Sequence, residues 1–399
     1  MKIVTFTTLY PNAVKPGHGI FVETRLRQLV ASGRVQARVV APVPWFPLQH
    51  PRFGQYANFA RVPQSEQRHG LQVQHPRYLQ LPKVGMNVAP FLLAQSGKRA
   101  LGRLLDEGYD FDLIDAHYFY PDGVAAAMLG KYFNKPVSIT ARGSDISLLP
   151  QYPVPRRLIR WAAARADGLV TVCRALKDEL VQLGVDEQRI VPLRNGIDLH
   201  LFQPGDRAQQ RAALGLDGYT LLCVGHLVPL KGQHLVIEAL ASLPDVTLLI
   251  AGDGVERKRL EQLAADLGVA SRVRFLGAVP QPALPAIYGA ADAMVLASSR
   301  EGWANVLLEA MACGTPAIAS RVWGTPEVVA VPQAGLLMQE RSAAGVVQAV
   351  QALRAAAPER AATRRYAEQF SWDATTAGQL QLFDSILQRR AQAALAVMP

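Results

Sequence analysis

Cysteine is scarce in this chain of 399 residues. Cys173, Cys223 and Cys313 stand far apart, and no two of them form a C-x-x-C pair. A disulfide scaffold or a zinc site is therefore not expected, and a reducing cytoplasm fits the composition. Long apolar runs are also lacking, since none approaches the roughly 18 residues that cross a bilayer. Residues 1–6 are too short and too rich in threonine for a signal peptide and predict a first strand.

Acidic residues are fewer than basic residues. The chain has 42 Lys and Arg against 32 Asp and Glu, a formal net charge of +10. This charge predicts anionic partners, with nucleotide diphosphates and an anionic membrane surface as the candidates. Aromatic residues make up 7% of the chain, and no RNA-binding or zinc-finger pattern is present. No nucleic acid partner is therefore expected.

Short apolar strands alternate with helices along the whole chain, which predicts an α/β fold with parallel sheets. The length suits two domains. We predict two Rossmann-like domains at 1–198 and 199–372, followed by a segment 373–399 that carries a last helix over Thr375–Leu395. The segment Val43–Pro90 is rich in Pro, Gln and Arg, and predicts an irregular excursion from the first sheet.

Two glutamates eight positions apart, Glu301 and Glu309, are the most informative feature. Glu309 lies in a predicted helix that stops near Gly314, and Glu301 lies in the loop before it. The first N–H groups of such a helix attract a phosphate, so the pair suits a phosphate flanked by two polyols, as in a nucleotide sugar. Two acids without a role are the alternative. Candidate ligand contacts in the loop and first turn are Gly302, Trp303, Ala304, Asn305 and Val306.

Two glycine-bearing turns follow strands in the second half. They supply further candidate donor contacts: Gly225, His226, Lys231, Gly252 and Gly254. The first turn ends in Lys231 and suits a phosphate without matching a P-loop, although Lys231 could also be a solvated lysine. The second has Arg257 where a dinucleotide fingerprint needs its third glycine, so a tight turn at a ligand crevice fits better.

The first half offers candidates at the ends of its strands, where open α/β sheets bind ligands. Gly17 and Gly19 separate the first strand from the first helix and could simply form a turn. His117 follows an apolar strand and could equally be a structural histidine. Arg142 and Asp145 follow the next strand, and Asp145 could equally cap the turn that follows it.

Two other patterns have competing interpretations. Asp110 and Asp112 have the spacing of a metal-binding carboxylate pair, but they precede a strand on the edge opposite the crevice, and we interpret them as turn acids. In the helix predicted over 155–165, Arg157, Arg160 and Arg165 fall near one side with Trp161 at its border. That side could lie on an anionic bilayer or be an ordinary solvated face.

Taken in order, these motifs resemble glycosyltransferase family four, whose members are retaining, use nucleotide sugars and have GT-B architecture. The resemblance covers nearly the whole chain and is strongest between Gly225 and Glu327. Glu301 and Glu309 are similar to the paired-glutamate motif of the family, and residues 195–198 to its interdomain segment. The resemblance implies two Rossmann-like domains whose parallel sheets face each other across a cleft, with a hinge near 196–198. It also implies that the last helix packs back on the first domain.

The resemblance implies roles for the candidates. Lys231 and His226 would bind the diphosphate of a UDP-, GDP- or ADP-sugar, and Glu309 the ribose. Glu301 would hold sugar hydroxyls, while His117 would position the sugar or acceptor; with Lys231, these two form the catalytic set. Arg142 and Asp145 would lie on the acceptor side, and no cofactor or metal is implied. The acceptor would be a saccharide, lipid-linked at the inner face of a bacterial membrane, in surface polysaccharide assembly.

Some positions depart from the family pattern. His226 replaces a usual arginine, Arg142 stands where a histidine often precedes the glycine, residues 303–305 replace a Phe-Gly run, and Trp323 replaces a frequent glycine. A non-hydrolysing nucleotide-sugar epimerase on the same fold is one alternative to a transferase. A carbohydrate-binding or nucleic-acid-binding module is another.

Overall fold

The chain divides into two units, and each unit is built on its own β-sheet. The computed structural model describes residues 1–80 and 85–395. Unit 1 combines the described residues of Met1–Arg194 with those of Asp373–Pro399, and unit 2 is Asn195–Trp372. Unit 1 is therefore assembled from both ends of the chain. The α/β class predicted from the alternation of strands and helices is confirmed.

The sheet of unit 1 has the order β10-β9-β8-β7-β1-β2-β5-β4. Its strands are β1 (Lys2–Phe6), β2 (Gln36–Val40), β4 (Ser65–Arg68), β5 (Leu71–Gln74), β7 (Leu113–His117), β8 (Val137–Ala141), β9 (Gly168–Thr171) and β10 (Ile190–Pro192), while β3 (Val43–Pro44) and β6 (Arg77–Tyr78) pair separately. The central strands β7 and β8 are buried along their whole length. Burial on both faces explains why neither strand has an exposed polar face, and even Asp115 of β7 and Ser138 of β8 are buried.

The expectation that Val43–Pro90 is an irregular excursion was wrong for its middle part. Strands β4 and β5 form an antiparallel hairpin, and β5 also pairs in parallel with β2, so the hairpin extends the main sheet. Residues 81–84 lie outside the described residues. The alternation of buried Leu71 and Val73 with exposed neighbours is the period-2 signal of this strand, but it spans only four residues.

The helices of unit 1 are α1 (Ile20–Ala31), α2 (Gln55–Arg61), α3 (Gly85–Asp106), α4 (Val124–Phe133), α5 (Ser144–Ser147), α6 (Pro153–Arg165), α7 (Arg174–Gln182) and α16 (Trp372–Leu395). Helix α16 returns to this unit at the end of the chain. Its Leu380, Phe383 and Ile386 recur every third residue on one buried face, and they join a core that includes Val22 and Leu26 of α1. This packing makes the C-terminal helix part of the first unit.

The sheet of unit 2 has the order β13-β12-β11-β14-β15-β16, and its pairings are parallel. Its strands are β11 (Tyr219–Val224), β12 (Val246–Ala251), β13 (Val273–Gly277), β14 (Ala293–Leu296), β15 (Ala317–Ala319) and β16 (Gly335–Leu337). Its helices are α8 (Arg207–Ala213), α9 (Gln233–Ala239), α10 (Arg257–Asp266), α11 (Leu284–Ala290), α12 (Asn305–Ala312), α13 (Thr325–Val328), α14 (Ala343–Ala355) and α15 (Arg360–Glu368). In parallel sheets the carboxyl ends of the strands share one edge, so the loops after β11, β12 and β14 come together there.

Among the described residues, no helix combines the length and the apolar character needed to cross a bilayer.

Candidate functional site

Lys231 and Glu301 form an ion pair in unit 2. The Lys231 Nζ atom lies 2.5 Å from Glu301 Oε1, and the Ser298 hydroxyl donates to the same oxygen at 2.7 Å. Both charged side chains are mostly buried, with 22% and 11% exposed. The loops after β11 and β14 therefore bring Lys231 and Glu301 together. The sequence analysis had assigned Lys231 to the diphosphate of a nucleotide sugar and Glu301 to its sugar. A diphosphate arriving here would compete with Glu301 for the Lys231 ammonium group.

Glu309 lies on α12 and accepts a hydrogen bond from the Tyr288 hydroxyl at 2.7 Å. Burial raises the pKa of Glu309 to about 7, although the bond from Tyr288 acts in the opposite direction. Burial, reinforced by the neighbouring Glu309, raises the pKa of Tyr288 well above its usual value. Because Tyr288 donates to Oε2, the other Glu309 oxygen is left for hydroxyl groups of a ligand.

The segment between the two glutamates supports the start of α12. Trp303 is only 7% exposed, and its ring lies 6.2 Å from that of Phe370. Asn305 accepts a hydrogen bond from the Asn195 side chain at 3.3 Å. Ala304 is buried, whereas Gly302 and Val306 are partly exposed. The Trp303 side chain therefore packs inside unit 2, so any ligand contact from this position would come from its backbone.

The glycine turns after β11 and β12 pack directly on each other. The Gly225 N–H donates to the Ala251 carbonyl at 3.0 Å, and the Leu227 N–H to the Asp253 carbonyl at 3.0 Å. A Cβ atom on Gly252 would lie 1.9 Å from the Gly225 carbonyl oxygen, and the Gly252 backbone has φ 153°. This close approach, which Gly254 shares against Leu227, explains these glycines without a ligand.

His226 stands on the same turn and is exposed. Its carbonyl oxygen accepts a hydrogen bond from Gln233 Nε2 at 3.1 Å, which fixes the backbone between β11 and α9. The imidazole therefore faces solvent from an anchored backbone.

The loop between β1 and α1 in unit 1 contains Gly17 and Gly19. A Cβ atom on Gly19 would lie 2.4 Å from the Leu9 carbonyl group, and φ at Gly19 is 69°, so packing requires this glycine. Gly17 is exposed and would have nothing within 4 Å of an added Cβ. Packing therefore does not explain Gly17, which leaves room for a ligand to approach its backbone.

Asp122 holds the start of that loop. Its carboxylate accepts hydrogen bonds from the Thr8 N–H at 2.6 Å, the Thr8 hydroxyl at 3.0 Å and the Thr7 hydroxyl at 3.1 Å. Complete burial raises the pKa of Asp122 to about 7, although these bonds partly offset the effect. Beside the loop lies a cavity of about 260 Å³. Its lining combines polar and apolar groups, including Asn12, Lys15, His18, Phe59 and Tyr78.

His117 is fully engaged at the end of β7. Arg142 Nη2 donates to its Nδ1 at 2.7 Å, and because arginine is only a donor, the His117 proton is on Nε2, which donates to Asp115 Oδ2 at 3.1 Å. Burial lowers the pKa of His117 to about 4, despite the nearby Asp115. The side chain is 1% exposed. The structural alternative therefore accounts for its contacts, and a role at the substrate stays a prediction.

Arg25 and Gln379 extend this network. Gln379 of α16 donates to Asp115 Oδ2 at 3.1 Å and accepts from Arg25 Nε at 2.7 Å. Arg25 also donates to the Leu193 carbonyl at 3.2 Å. Burial lowers the pKa of Arg25 to about 10. The C-terminal helix thus supplies a group that fixes Asp115, and Asp115 in turn orients His117.

Asp145 holds two loops of unit 1 together. Its carboxylate accepts from the N–H groups of Phe119 at 2.6 Å, Gly143 at 2.6 Å and Arg142 at 3.1 Å. Burial raises its pKa, and these bonds oppose the rise. The predicted capping of the turn after Asp145 is not seen, since α5 has no side-chain cap. Asp145 instead positions the loop that carries Arg142, and acceptor-side roles for both residues remain predictions.

The acids suggested as a metal pair contact the protein instead. Asp110 pairs with Lys135 at 2.6 Å, and Asp112 accepts from the Lys2 N–H at 2.7 Å. Within residues 1–80 and 85–395, no three His, Cys, Asp or Glu side chains are grouped to hold a metal ion.

Sequence patterns missed Tyr288, Asp122, Asp115 and Gln379. Tyr288 and Gln379 lie on predicted helices without any motif, so nothing local marked them. Asp115 stands two residues before His117 on a buried strand, and a charged residue in an apolar run was a usable signal.

Comparisons with known proteins agree with this architecture. The family description "Glycosyltransferase Family 4" matches residues 17–201, and "Glycosyl transferases group 1" matches residues 206–370. The chain is 30% identical to TuaC of Bacillus subtilis, a glycosyltransferase assigned provisionally to teichuronic acid biosynthesis, over 88% of each protein. It is 38% identical to the D-inositol 3-phosphate glycosyltransferase of Mycobacteroides abscessus, over 53% of this chain and only 50% of that relative.

Solved structures show the same fold. Sucrose-phosphate synthase from Thermosynechococcus elongatus superposes with a TM-score of 0.81 at 22% identity, over 97% of this chain and 99% of that one. Anabaena Alr3699/HepE in complex with UDP-glucose gives 0.72 at 21% identity, over 98% and 100%. The two predicted Rossmann-like domains of GT-B architecture are thereby confirmed. The chain belongs to glycosyltransferase family 4 and is a glycosyltransferase.

Proposed function

We propose that this glycosyltransferase moves a hexose-type sugar from a nucleoside-diphosphate sugar to a hydroxyl of a saccharide acceptor, with retention at the anomeric carbon. The observation that carries the proposal is the arrangement around α12. A mostly buried ion pair joins Lys231 to Glu301 in the loop before the helix, and the helix itself carries a partly buried Glu309, of which only one oxygen is bonded by Tyr288. A cation with two separate carboxylates suits a diphosphate flanked by two sets of hydroxyl groups.

On the donor side, Lys231 exchanges its bond to Glu301 for the diphosphate. The ammonium group then stabilises the negative charge that develops on the leaving phosphate, and the N–H groups at the start of α12 add to this stabilisation. Glu301, released from Lys231 but still held by Ser298, accepts from the sugar hydroxyls. Glu309 accepts from the ribose hydroxyls through its unused oxygen. His226, exposed on the adjacent turn, is a second contact to the diphosphate.

Retention follows from return of the acceptor on the face that the phosphate leaves. The bond between the anomeric carbon and the phosphate oxygen breaks, and the acceptor oxygen bonds to the same carbon. The acceptor proton passes to the departing phosphate oxygen. A double displacement would need a carboxylate held against the anomeric carbon; in the proposed complex Glu301 is held by Ser298 and accepts from the sugar hydroxyls, which supports the front-face route.

The acceptor is a saccharide, carried on a lipid at the inner face of a bacterial membrane in surface polysaccharide assembly. The cavity beside Gly17 supports a saccharide, because aromatic Phe59 and Tyr78 can stack on a ring while Asn12, Lys15 and His18 bond to hydroxyls. The net charge of +10 supports an anionic surface as the setting. TuaC, the relative named for teichuronic acid biosynthesis, supports a polymer-building role.

A thermal-shift series with UDP-, GDP- and ADP-hexoses tests the donor. One of these should raise the midpoint of thermal unfolding, because a ligand of the folded state stabilises it by mass action. Lys231→Met should reduce affinity at least about ten-fold, since a charge-assisted contact is lost. Exposed Lys258 of α10 gives the matched control, Lys258→Met, which should respond like the wild type. No response to any of the nucleotide sugars would overturn the donor assignment.

Proton NMR of the active donor separates transfer from epimerisation. With donor alone, the sugar should keep its configuration; with a saccharide acceptor, a product with the anomeric configuration of the donor should form. Epimerised donor without acceptor would favour the epimerase, and an inverted product would overturn front-face return.

A further inference from the structure

A concave basic site lies on unit 1 and contains none of the residues assigned to the donor or acceptor. It is a cavity of about 760 Å³ between α6 and the segment that leads from α7 into β10. We call it the α6 pocket and define it by Arg156, Arg157, Arg160, Trp161, Asp186 and Arg189, all of which line it. Four guanidinium groups and one carboxylate give the lining a net charge of +3 (4 − 1).

Three of the four arginines of the α6 pocket have no hydrogen bond or ion pair with other described residues. Arg156, Arg157 and Arg160 are exposed, and within the described part of the chain their side chains make no hydrogen bond or ion pair. Arg189 donates from Nη2 to the Ala166 carbonyl at 2.7 Å. Asp186, the one acid among the lining residues, accepts a hydrogen bond from the Gln188 N–H at 3.0 Å, so one of its oxygens is already bonded. By contrast, Arg207 and Arg211 of unit 2 both pair with Asp292.

Three unpaired guanidinium groups around one cavity repel one another unless an anion lies between them. The planar fork of arginine matches the oxygens of a phosphate, and α6 holds Arg156, Arg157 and Arg160 within about one helical turn. Arg189 joins them from a different element, so the site is concave and not only a charged helix face.

Apolar groups accompany the charge. Trp161 forms part of the wall of the cavity, and the Arg165 guanidinium stacks on its ring at 4.5 Å. Tyr152 and Val154, at the start of α6, are 45% and 41% exposed. Basic residues beside exposed aromatic and aliphatic side chains are typical of a helix that lies in a lipid headgroup region.

We propose that the α6 pocket binds a phosphate ester, and that the source is the headgroup of an anionic phospholipid. Arg157 and Arg160 hold the phosphate oxygens, Arg156 and Arg189 complete the charge, and Tyr152 and Val154 contact the acyl boundary. This proposal does not depend on the proposed sugar transfer, because none of these residues belongs to the donor or acceptor site.

The test compares two variants of the full chain with equal loss of charge. Arg157→Gln/Arg160→Gln removes the centre of the pocket, and Arg27→Gln/Arg99→Gln removes two exposed arginines elsewhere in unit 1. Sedimentation measures binding to phosphatidylcholine vesicles with and without phosphatidylglycerol. Each basic residue at an anionic surface contributes about five-fold, so the pocket variant should lose about ten-fold or more, and the control variant no more than about two-fold.

Calorimetry with inorganic pyrophosphate provides the second arm. Loss of pyrophosphate and vesicle binding together supports a phosphate site open to either source, and loss of vesicle binding alone supports the lipid headgroup. Loss of pyrophosphate binding alone supports a phosphate site but overturns the lipid source. Equal losses in the two variants, or none, overturn the pocket. Thermal unfolding without ligand checks that both variants fold, and the donor-induced thermal shift, which should be unchanged in both, reports separately on the proposed transfer.

Discussion

At the scale of single residues, Glu309 shows how the proposed ligand site conflicts with stability. The carboxyl group is buried, and its pKa is raised by burial to about 7. Between pH 4.5 and 7 the unfolded chain releases this proton while the folded chain retains it. The free energy of unfolding therefore falls as pH rises through this window, by up to about 1.4 kcal/mol per pH unit. Above pH 7 the carboxylate costs stability, but it is then the form that accepts hydroxyl bonds best.

Glu309→Gln should therefore stabilise the protein and weaken donor binding. The amide can still accept from Tyr288 and carries no charge, so the free energy of unfolding at pH 8 should rise by roughly 1–3 kcal/mol, and by much less at pH 5. Affinity for the nucleotide sugar should fall about ten-fold. Urea unfolding at both pH values and donor titration measure the two effects.

Exposed Glu340 provides the control for that prediction. Glu340→Gln should change neither quantity appreciably. A stability gain for Glu309→Gln that is equal at pH 5 and pH 8 would contradict the assigned titration, and unchanged donor affinity would contradict the ribose role.

At the scale of elements, α16 is the clearest case of a helix whose position matters more than its local sequence. It fills the core of unit 1 with Leu380, Phe383 and Ile386. It also places Gln379 between Arg25 and Asp115, where all three side chains are nearly inaccessible. Because Asp115 bonds to His117, this single amide joins the last helix to the end of β7.

Gln379→Ala should destabilise unit 1 by about 2–4 kcal/mol, since a buried charged pair would lose its bridging partner. Urea unfolding measures the loss. Gln381 lies two residues along the same helix and is exposed, so Gln381→Ala should change stability by less than about 0.5 kcal/mol. Equal effects at the two positions would show that helix propensity, not the network, determines the result.

At the scale of the whole molecule, the chain crosses from unit 1 into unit 2 after Arg194 and returns at Asp373. The unit that contains the N-terminus is therefore completed by the C-terminus. Unit 2 is continuous along the chain and has a core of its own, built around β11, β12 and β14.

A chain that ends at Trp372 should lose stability in unit 1 and retain structure in unit 2. The buried face of α16 would be missing, so core residues such as Val22 and Leu26 would be exposed. Hydrogen exchange with peptide resolution should show protection lost from β1, β7 and α1, with protection kept in β11 and β12. Uniform loss of protection in both units would contradict this division.

Much of the candidate site was recognisable from the sequence. Glu301 and Glu309 stand in one short motif at a loop and helix start, and the structure has that helix, α12. Trp323, which the resemblance places where the family often has glycine, has a left-handed backbone with φ 47°. The glycines that follow β11 and β12 could also be identified from the sequence. The physical reason for them could not, because it is the close packing of the two turns on each other.

The sequence by itself determined the α/β class, because the alternation of buried strands and amphipathic helices is a local pattern. It also determined the paired glutamates and the basic helix, which are local motifs. Only the tertiary structure decided that Lys231 pairs with Glu301, 70 positions away, that Tyr288 binds Glu309, and that Gln379 reaches Asp115 across 264 positions. Such contacts depend on strand order and helix packing. A local pattern of residues cannot predict which distant side chains come within hydrogen-bonding distance, because it contains no information on that arrangement.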